Sequence, residues 1–150
     1  MRYLIVLVLL STKLMAADNA VIKNIVDAAN LADVNPQLLL AVCFVESSYR
    51  SNLKPHMDGH TESHGICQIK LETAQNMDKV YKLHIKATKQ RLQNPFVNAF
   101  YAAKFIRYQL YRYDGDMRKA VESYNKGSAV SGGKGTYVNK VFRALVAQNN

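Results

Sequence analysis

Apolar residues in 18–147 recur three and four positions apart, which is the spacing of one face of an α-helix. No segment sustains the period-two alternation of a half-buried strand. The pattern therefore predicts an all-α single domain in residues 18–150, with room for a short β ribbon in the polar segment 49–64. A chain of 150 residues is long enough for one domain with its own core.

Capping and turn residues divide this pattern into helices. Asn-Pro pairs predict helix starts at Pro36 and Pro95, because Asn caps a helix and Pro suits its first position. Asp114-Gly115-Asp116 predicts a turn and a cap, and Gly127 a left-handed helix end. The remaining segment 77–93 is interpreted as a loop with a helical turn. We expect helices after Asp18, from Pro36 past Glu46, over 66–76, over 95–111, up to Asn125 and over 136–147.

The first 17 residues follow another pattern. Arg2 precedes an apolar run, Tyr3 to Leu10, and small residues follow at Ala16 and Ala17. This order is typical of a secretory signal, and the run is far shorter than the ~20 residues that span a bilayer. We expect export to the periplasm or outside the cell, with cleavage near Ala16 or Ala17. An uncleaved interfacial anchor is the alternative.

The chain carries a formal net charge of +9, and +7 remains once Arg2 and Lys13 are removed with the signal. Such a balance favours anionic partners, namely cell-wall polymer, nucleic acid or a membrane surface, without choosing among them. The two cysteines, Cys43 and Cys67, can form a disulfide after export. Their spacing leaves two buried free thiols equally open.

Glu46 ends an apolar helix face. Leu39, Val42, Cys43 and Glu46 lie at i, i+3, i+4 and i+7 of the helix that starts at Pro36. Burial and the negative end of the helix dipole both disfavour a charged Glu, so we expect a raised pKa for its carboxyl. A carboxyl that keeps its proton near neutral pH suits a general acid. Alternatively, the helix ends there and Glu46 is an ordinary solvated residue.

Three further stretches carry candidate chemistry. In Ser63–Lys70, Gly65 suits a close backbone approach, and Gln68 lies between apolar neighbours and needs a partner. A Gln side chain both donates and accepts, which suits the acetamido and hydroxyl groups of a sugar. Glu122–Gly127 places Tyr124 and Asn125 at a helix end, and Gly135–Val141 places Tyr137 in the first turn of the last helix.

In this order the four stretches resemble the catalytic domain of the soluble lytic murein transglycosylases, which shares its fold with goose-type lysozyme. The family pattern is Glu-Ser, Gly-x-x-Gln-Ile, Ala-Tyr-Asn-x-Gly and Tyr-Val. The chain departs from it at Ser123, where Ala is usual, at Lys126 and Ala129, and at Gly135, where Glu often precedes the Thr. The matching segments are Glu46-Ser47, Gly65-Ile66-Cys67-Gln68-Ile69, Ser123-Tyr124-Asn125-Lys126-Gly127 and Tyr137-Val138.

The resemblance implies a lysozyme-like fold and cleavage of the bond between N-acetylmuramic acid and N-acetylglucosamine in peptidoglycan, with Glu46 as acid and then base. It implies that Ser47 orients the acid and that Tyr124 lies near it. It also implies a Cys43–Cys67 disulfide, no metal or other cofactor, and action on glycan strands. We expect the chain to act as a monomer and to bind no nucleic acid, since it is exported. The residues that it places at the substrate are Ser47, Gly65, Ile66, Gln68, Tyr124, Asn125 and Tyr137.

Other functions stay open at this stage. A hydrolase would need a second carboxylate, for which Asp58, Glu62 and Glu72 are candidates. A metal could be held by His56, His60 and His64, which are four positions apart, although Pro55 and Gly59 argue against a helix there. The third alternative is a non-catalytic module that binds nucleic acid or the cell wall. Lys104–Tyr113 alternates basic and aromatic residues, as some nucleic-acid binders do, but also fits a core stripe. The sequence does not decide whether the chain serves a secretion, conjugation or phage machine or general wall remodelling.

Overall fold

The computed structural model describes residues 19–148, which form six α-helices, a 3-10 turn and a small antiparallel sheet. The predicted export signal and Asp18 lie outside these residues. In the described part of the chain no helix is long and apolar enough to cross a membrane. The helices are α1 at 19–31, α2 at Pro36–Ser47, α3 at Leu71–Val80, α4 at Pro95–Arg112, α5 at Met117–Lys126 and α6 at Thr136–Ala147.

Helices α2, α4 and α5 start where the sequence predicts them, because their caps are local. The side chain of Asn35 accepts from the backbone N–H of Gln37 at 2.9 Å, and that of Asn94 from Val97 at 3.1 Å. Asp116 caps α5 in the same way. The end of α5 differs from the prediction, because Gly127 has φ +61° and ψ −120°, outside the left-handed helical region.

The β ribbon occurs in the predicted loop and extends beyond it. Its strands are β1 (His56–Asp58), β2 (Thr61–His64) and β3 (Ile69–Lys70), in the order β1-β2-β3. The prediction of a helix over 66–76 is wrong at its start and end, since α3 covers Leu71–Val80. The reason is that residues 65–68 form a turn and Ile69–Lys70 then pair with β2, so the helix starts only after Lys70.

The core holds the end of α2 between other helices. Helix α2 packs on α6 and α4, and α5 packs on both α4 and α6. A second cluster lies between α3 and α4, and there the hydroxyl of the buried Tyr101 donates to Asp78 at 2.6 Å. The aromatic residues Tyr101, Phe105 and Tyr108 pack in or against this second cluster, as a core stripe would. The main core cluster packs buried residues of α2 against α4, α5 and α6, so it surrounds the helix that carries Glu46.

Candidate active site

Glu46 lies in the last turn of α2 and is neither fully buried nor fully exposed. The hydroxyl of Tyr137, in the first turn of α6, donates to Glu46 Oε1 at 2.5 Å. Burial raises the pKa of Tyr137 well above its usual value of 10, and the charge of Glu46 raises that pKa further. Tyr137 thus stays protonated and acts as a donor at any pH near neutral.

A cavity of about 220 Å³ opens beside Glu46. We call it the cleft cavity. Among the described residues that line it, Glu46 is the one carboxylate, and two lysines, Lys70 and Lys126, lie on its wall. The cavity can therefore hold a polar, partly anionic ligand against a single acid. Its lining also includes Ser63, Gln68, Phe105, Tyr124 and Asn125.

The predicted site residues divide into two layers. Gln68, Tyr124 and Asn125 line the cleft cavity, whereas Ser47, Gly65 and Ile66 are buried and do not line it. Gln68 has φ +49°, and its side-chain amide donates to Gly65 O at 2.8 Å, which turns the segment back on itself. Tyr137 lines a neighbouring cavity with Asn125 and Lys126. It does not line the cleft cavity itself, but its hydroxyl bonds to Glu46, which does. The layer behind the cavity consists of Ser47, Gly65, Ile66 and the cysteine pair.

The layer behind the cavity ties the Gly65–Ile69 segment to α2. Ser47 Oγ donates to Ile66 O at 2.6 Å. A disulfide joins Cys67 to Cys43, which lies one helix turn before Glu46. Both cysteines are fully buried. The spacing of the cysteines did not decide between a disulfide and two free thiols, and the structure contains the disulfide that the resemblance implied. The acid and the Gln68 segment are thus held together by a covalent and a hydrogen bond.

Tyr124 lies near Glu46, as the resemblance implies, and its hydroxyl contacts the backbone of the Gly65–Ile69 segment. Its hydroxyl donates to Cys67 O at 2.6 Å, while its ring packs on Phe105 with the ring centroids 5.7 Å apart. Burial and the charge of Glu46 raise the pKa of Tyr124 well above its usual value. Tyr124 therefore lies near the acid but holds the Gln68 segment, and the tyrosine bonded to the acid is Tyr137.

Asn98, which sequence reasoning missed, supports the same segment from α4. Its Nδ2 donates to His64 O at 2.7 Å and to Leu92 O at 2.8 Å, and its Oδ1 accepts from Cys67 N at 2.9 Å. An Asn inside an apolar helix segment must find partners when buried, and that signal was present in the sequence. Gly65 lies directly against it, since a Cβ there would be 2.2 Å from Asn98 Nδ2.

Glu122 is a second residue that the sequence analysis passed over. Its side chain is buried, with 1% of the residue exposed. Its Oε1 accepts from Ser131 N at 3.0 Å, from Ser131 Oγ at 2.5 Å and from Lys126 Nζ at 3.1 Å, and its Oε2 accepts from Gly133 N at 2.6 Å. These donors, the Ser131 hydroxyl first, lower the pKa of Glu122 to about 2. Glu122 is therefore ionised throughout the physiological range.

Two of the three carboxylates considered for a hydrolase, Glu62 and Glu72, lie away from the cleft cavity. Glu62 and Glu72 line a separate cavity of about 180 Å³ with His60, His64 and Lys89, and Glu62 pairs with Lys89 at 2.7 Å. The side chain of Asp58 lies outside the described part of the structure. Within residues 19–148, excluding that side chain, no three His, Cys, Asp or Glu side chains converge as metal ligands would.

Comparison with known proteins agrees with this geometry. The family model for the transglycosylase SLT domain matches residues 23–144. A crystal structure of an inactive mutant of the lytic transglycosylase Slt from Pseudomonas aeruginosa superposes with a TM-score of 0.68 at 18% identity. The match covers 83% of this chain and 23% of that one, so the likeness shows a shared fold over about a quarter of the larger protein. No curated protein matches the chain in sequence. The chain belongs to the transglycosylase SLT domain family.

Proposed function

We propose that this chain cleaves the β-1,4 bond between N-acetylmuramic acid and N-acetylglucosamine without water and leaves 1,6-anhydro ends. The observation that carries the proposal is Glu46, the one carboxylate among the described residues of the cleft cavity. Most glycosidases place two carboxylates across the scissile bond. A single carboxyl in the cavity favours a mechanism in which the same group acts twice.

In the first step Glu46 gives its proton to the glycosidic oxygen, and the bond from that oxygen to C1 of N-acetylmuramic acid breaks. The 2-acetamido group of the same sugar stabilises the cationic centre. The ionised Glu46 then takes the proton of the C6 hydroxyl, whose oxygen forms the new bond to C1. Glu46 ends the cycle protonated, so atoms and charges balance without a metal, a cofactor or water.

The surrounding residues have roles that follow from their contacts. Tyr137 donates to one oxygen of Glu46 and so fixes the orientation of the carboxyl group. Gln68 lies on the cavity wall, where its amide can bind an acetamido or hydroxyl group of the glycan. Lys70 and Lys126 place positive charge on the same wall, which suits a polymer whose stem peptides carry carboxylates.

Digestion of purified peptidoglycan sacculi tests the proposal. The soluble products of the wild-type protein and of Glu46→Gln are weighed by mass spectrometry. We expect products one water lighter than reducing-end muropeptides, absent with Glu46→Gln. Reducing ends would instead support a hydrolase, and Asp58→Asn, Glu62→Gln and Glu72→Gln would then identify the second carboxylate. Unchanged release by Glu46→Gln would remove the acid from the mechanism.

The proposal also includes export and action as a monomer on glycan strands. Its support is the signal-like pattern of residues 1–17 and the location of peptidoglycan outside the cytoplasm. Expression of the full chain in a bacterium, followed by mass measurement of the protein in the periplasm, tests it. A product that starts after Ala16 or Ala17 is expected, and a cytoplasmic product of full mass would contradict export.

A further inference from the structure

The loop between α5 and α6, residues 127–135, leads directly to the tyrosine that contacts the acid. Two of its backbone N–H groups, those of Ser131 and Gly133, donate to Glu122. Tyr137 follows Gly133 by four residues, and α6 starts between them at Thr136. The place of the Tyr137 hydroxyl thus depends on where this loop is held.

The loop is held by hydrogen bonds to the ionised carboxylate of Glu122. A buried carboxylate is costly unless donors compensate it, and here each of its oxygens accepts from a backbone N–H of the loop. The hydroxyl of Ser131 and the ammonium of Lys126 complete the set on Oε1. Charge-assisted bonds of this kind are about twice as strong as neutral ones. The mechanism of bond cleavage makes no use of this carboxylate, so its role needs another explanation.

A second residue of α5, Arg118, also holds the loop. Gly133 O accepts from Arg118 Nε at 3.0 Å, and a Cβ on Gly133 would be 2.6 Å from Arg118 Cβ. Arg118 also donates to Asn139 of α6 at 3.0 Å. The loop is therefore packed closely against α5, and glycine is required at Gly133, where φ is +73°.

We propose that Glu122 is a positioning residue for the Tyr137–Glu46 pair, acting through the 127–135 loop that it holds at Ser131 and Gly133. This inference rests on the proposed function, in which Glu46 is the acid. It explains why a carboxylate is buried next to Ser123, a residue that lines the cleft cavity. A neutral side chain would not replace it, because an amide offers a donor where one of the two accepting oxygens now lies.

The test follows the side-chain carboxyl carbon of Glu46 by 13C NMR as pH is varied, beside the rate of release of soluble products from sacculi. The pH midpoint of this signal reports the titration of Glu46. Tyr137→Phe removes a donor that favours the ionised form of Glu46, so this midpoint should rise by about one pH unit. Glu122→Gln should move it in the same direction by no more than that amount and slow release roughly tenfold. Adding Glu122→Gln to Tyr137→Phe should leave the midpoint where Tyr137→Phe alone puts it.

Asp78→Asn is the matched control. Asp78 also accepts from a backbone N–H of a later loop, Ala87 at 2.6 Å, and from a hydroxyl, Tyr101 at 2.6 Å. It lines no part of the cleft cavity. Its variant should lose stability as Glu122→Gln does, yet keep the Glu46 midpoint of the wild type. Should Glu122→Gln fail to fold, Ser131→Ala removes one donor to Glu122 and should give a smaller shift of the same sign.

The outcomes separate the inference from the proposed function. A Glu46 midpoint that Tyr137→Phe moves and Glu122→Gln or Ser131→Ala leaves in place would overturn the positioning role. Full additivity of the two substitutions would overturn it as well. If the wild-type protein released no anhydro products while the midpoint moved as expected, the proposed function would fail and the positioning role would stand.

Discussion

Replacement of Gly65 by alanine probes the tightest contact behind the candidate site. Gly65 has φ +70°, and a Cβ there would be 2.2 Å from Asn98 Nδ2 and 2.7 Å from Leu92 O. The left-handed backbone costs a non-glycine residue roughly 1–2 kcal/mol. Displacing groups in a packed interior costs about 1–3 kcal/mol more. Gly65→Ala should therefore lower the free energy of unfolding by about 2–5 kcal/mol.

Gly59→Ala separates the two contributions. Gly59 has nearly the same φ, +64°, but nothing lies within 4 Å of a Cβ built there. Its variant should lose only the backbone part, about 1–2 kcal/mol. Urea unfolding followed by circular dichroism measures both, provided that the m-value stays constant. Equal losses in the two variants would refute the close contact between Gly65 and Asn98.

Three further predictions concern stability. Replacing Cys43 and Cys67 together by alanine opens a loop with a sequence separation of 24 and should cost roughly 3 kcal/mol; urea midpoints matching the oxidised wild type would contradict this. Burial holds the pKa of His64 below its usual 6.5, so the folded state resists protonation of this side chain. The free energy of unfolding should therefore decrease as the pH is lowered below about 6.5. His64→Leu should flatten that fall, and an unchanged pH profile would contradict it. Asp116→Ala should lower the thermal midpoint by removing the α5 cap, worth about 1 kcal/mol, and an unchanged midpoint would contradict this.

Much of the helical fold could be predicted from the sequence because the signals for it are local. The caps at Asn35, Asn94 and Asp116 act within three residues of each helix start. The strand β3 could not be predicted in this way, because Ile69–Lys70 is extended only through its pairing with β2. A two-residue strand has no periodicity of its own, so the start of α3 was predicted too early.

The candidate site likewise contains residues that the sequence could predict from local patterns and residues that depend on distant partners. Glu46 and Gln68 stand out because each is a polar residue that conflicts with its apolar neighbours. Asn98 conflicts with its apolar helix in the same way, but its partners in the His64–Cys67 segment lie 31–34 positions away. Glu122 lies in a polar helix and does not stand out there, and its backbone partners in the loop lie 9–11 positions away. Which tyrosine contacts Glu46 depends on the packing of α6 against α2, and no pattern within either helix carries that information.

The two sides of the acid are held by different kinds of interaction. On one side the disulfide at Cys43 and the bond from Ser47 join α2 to the Gly65–Ile69 segment inside the core. On the other side Glu46 meets α6 through Tyr137, and the loop before α6 is held by the polar contacts of Glu122. Covalent and buried contacts resist changes in pH and salt, whereas a Tyr–Glu contact responds to the charge of the acid itself. Damage to the first side should therefore appear mainly as lost stability, and damage to the second as an altered pH dependence of cleavage.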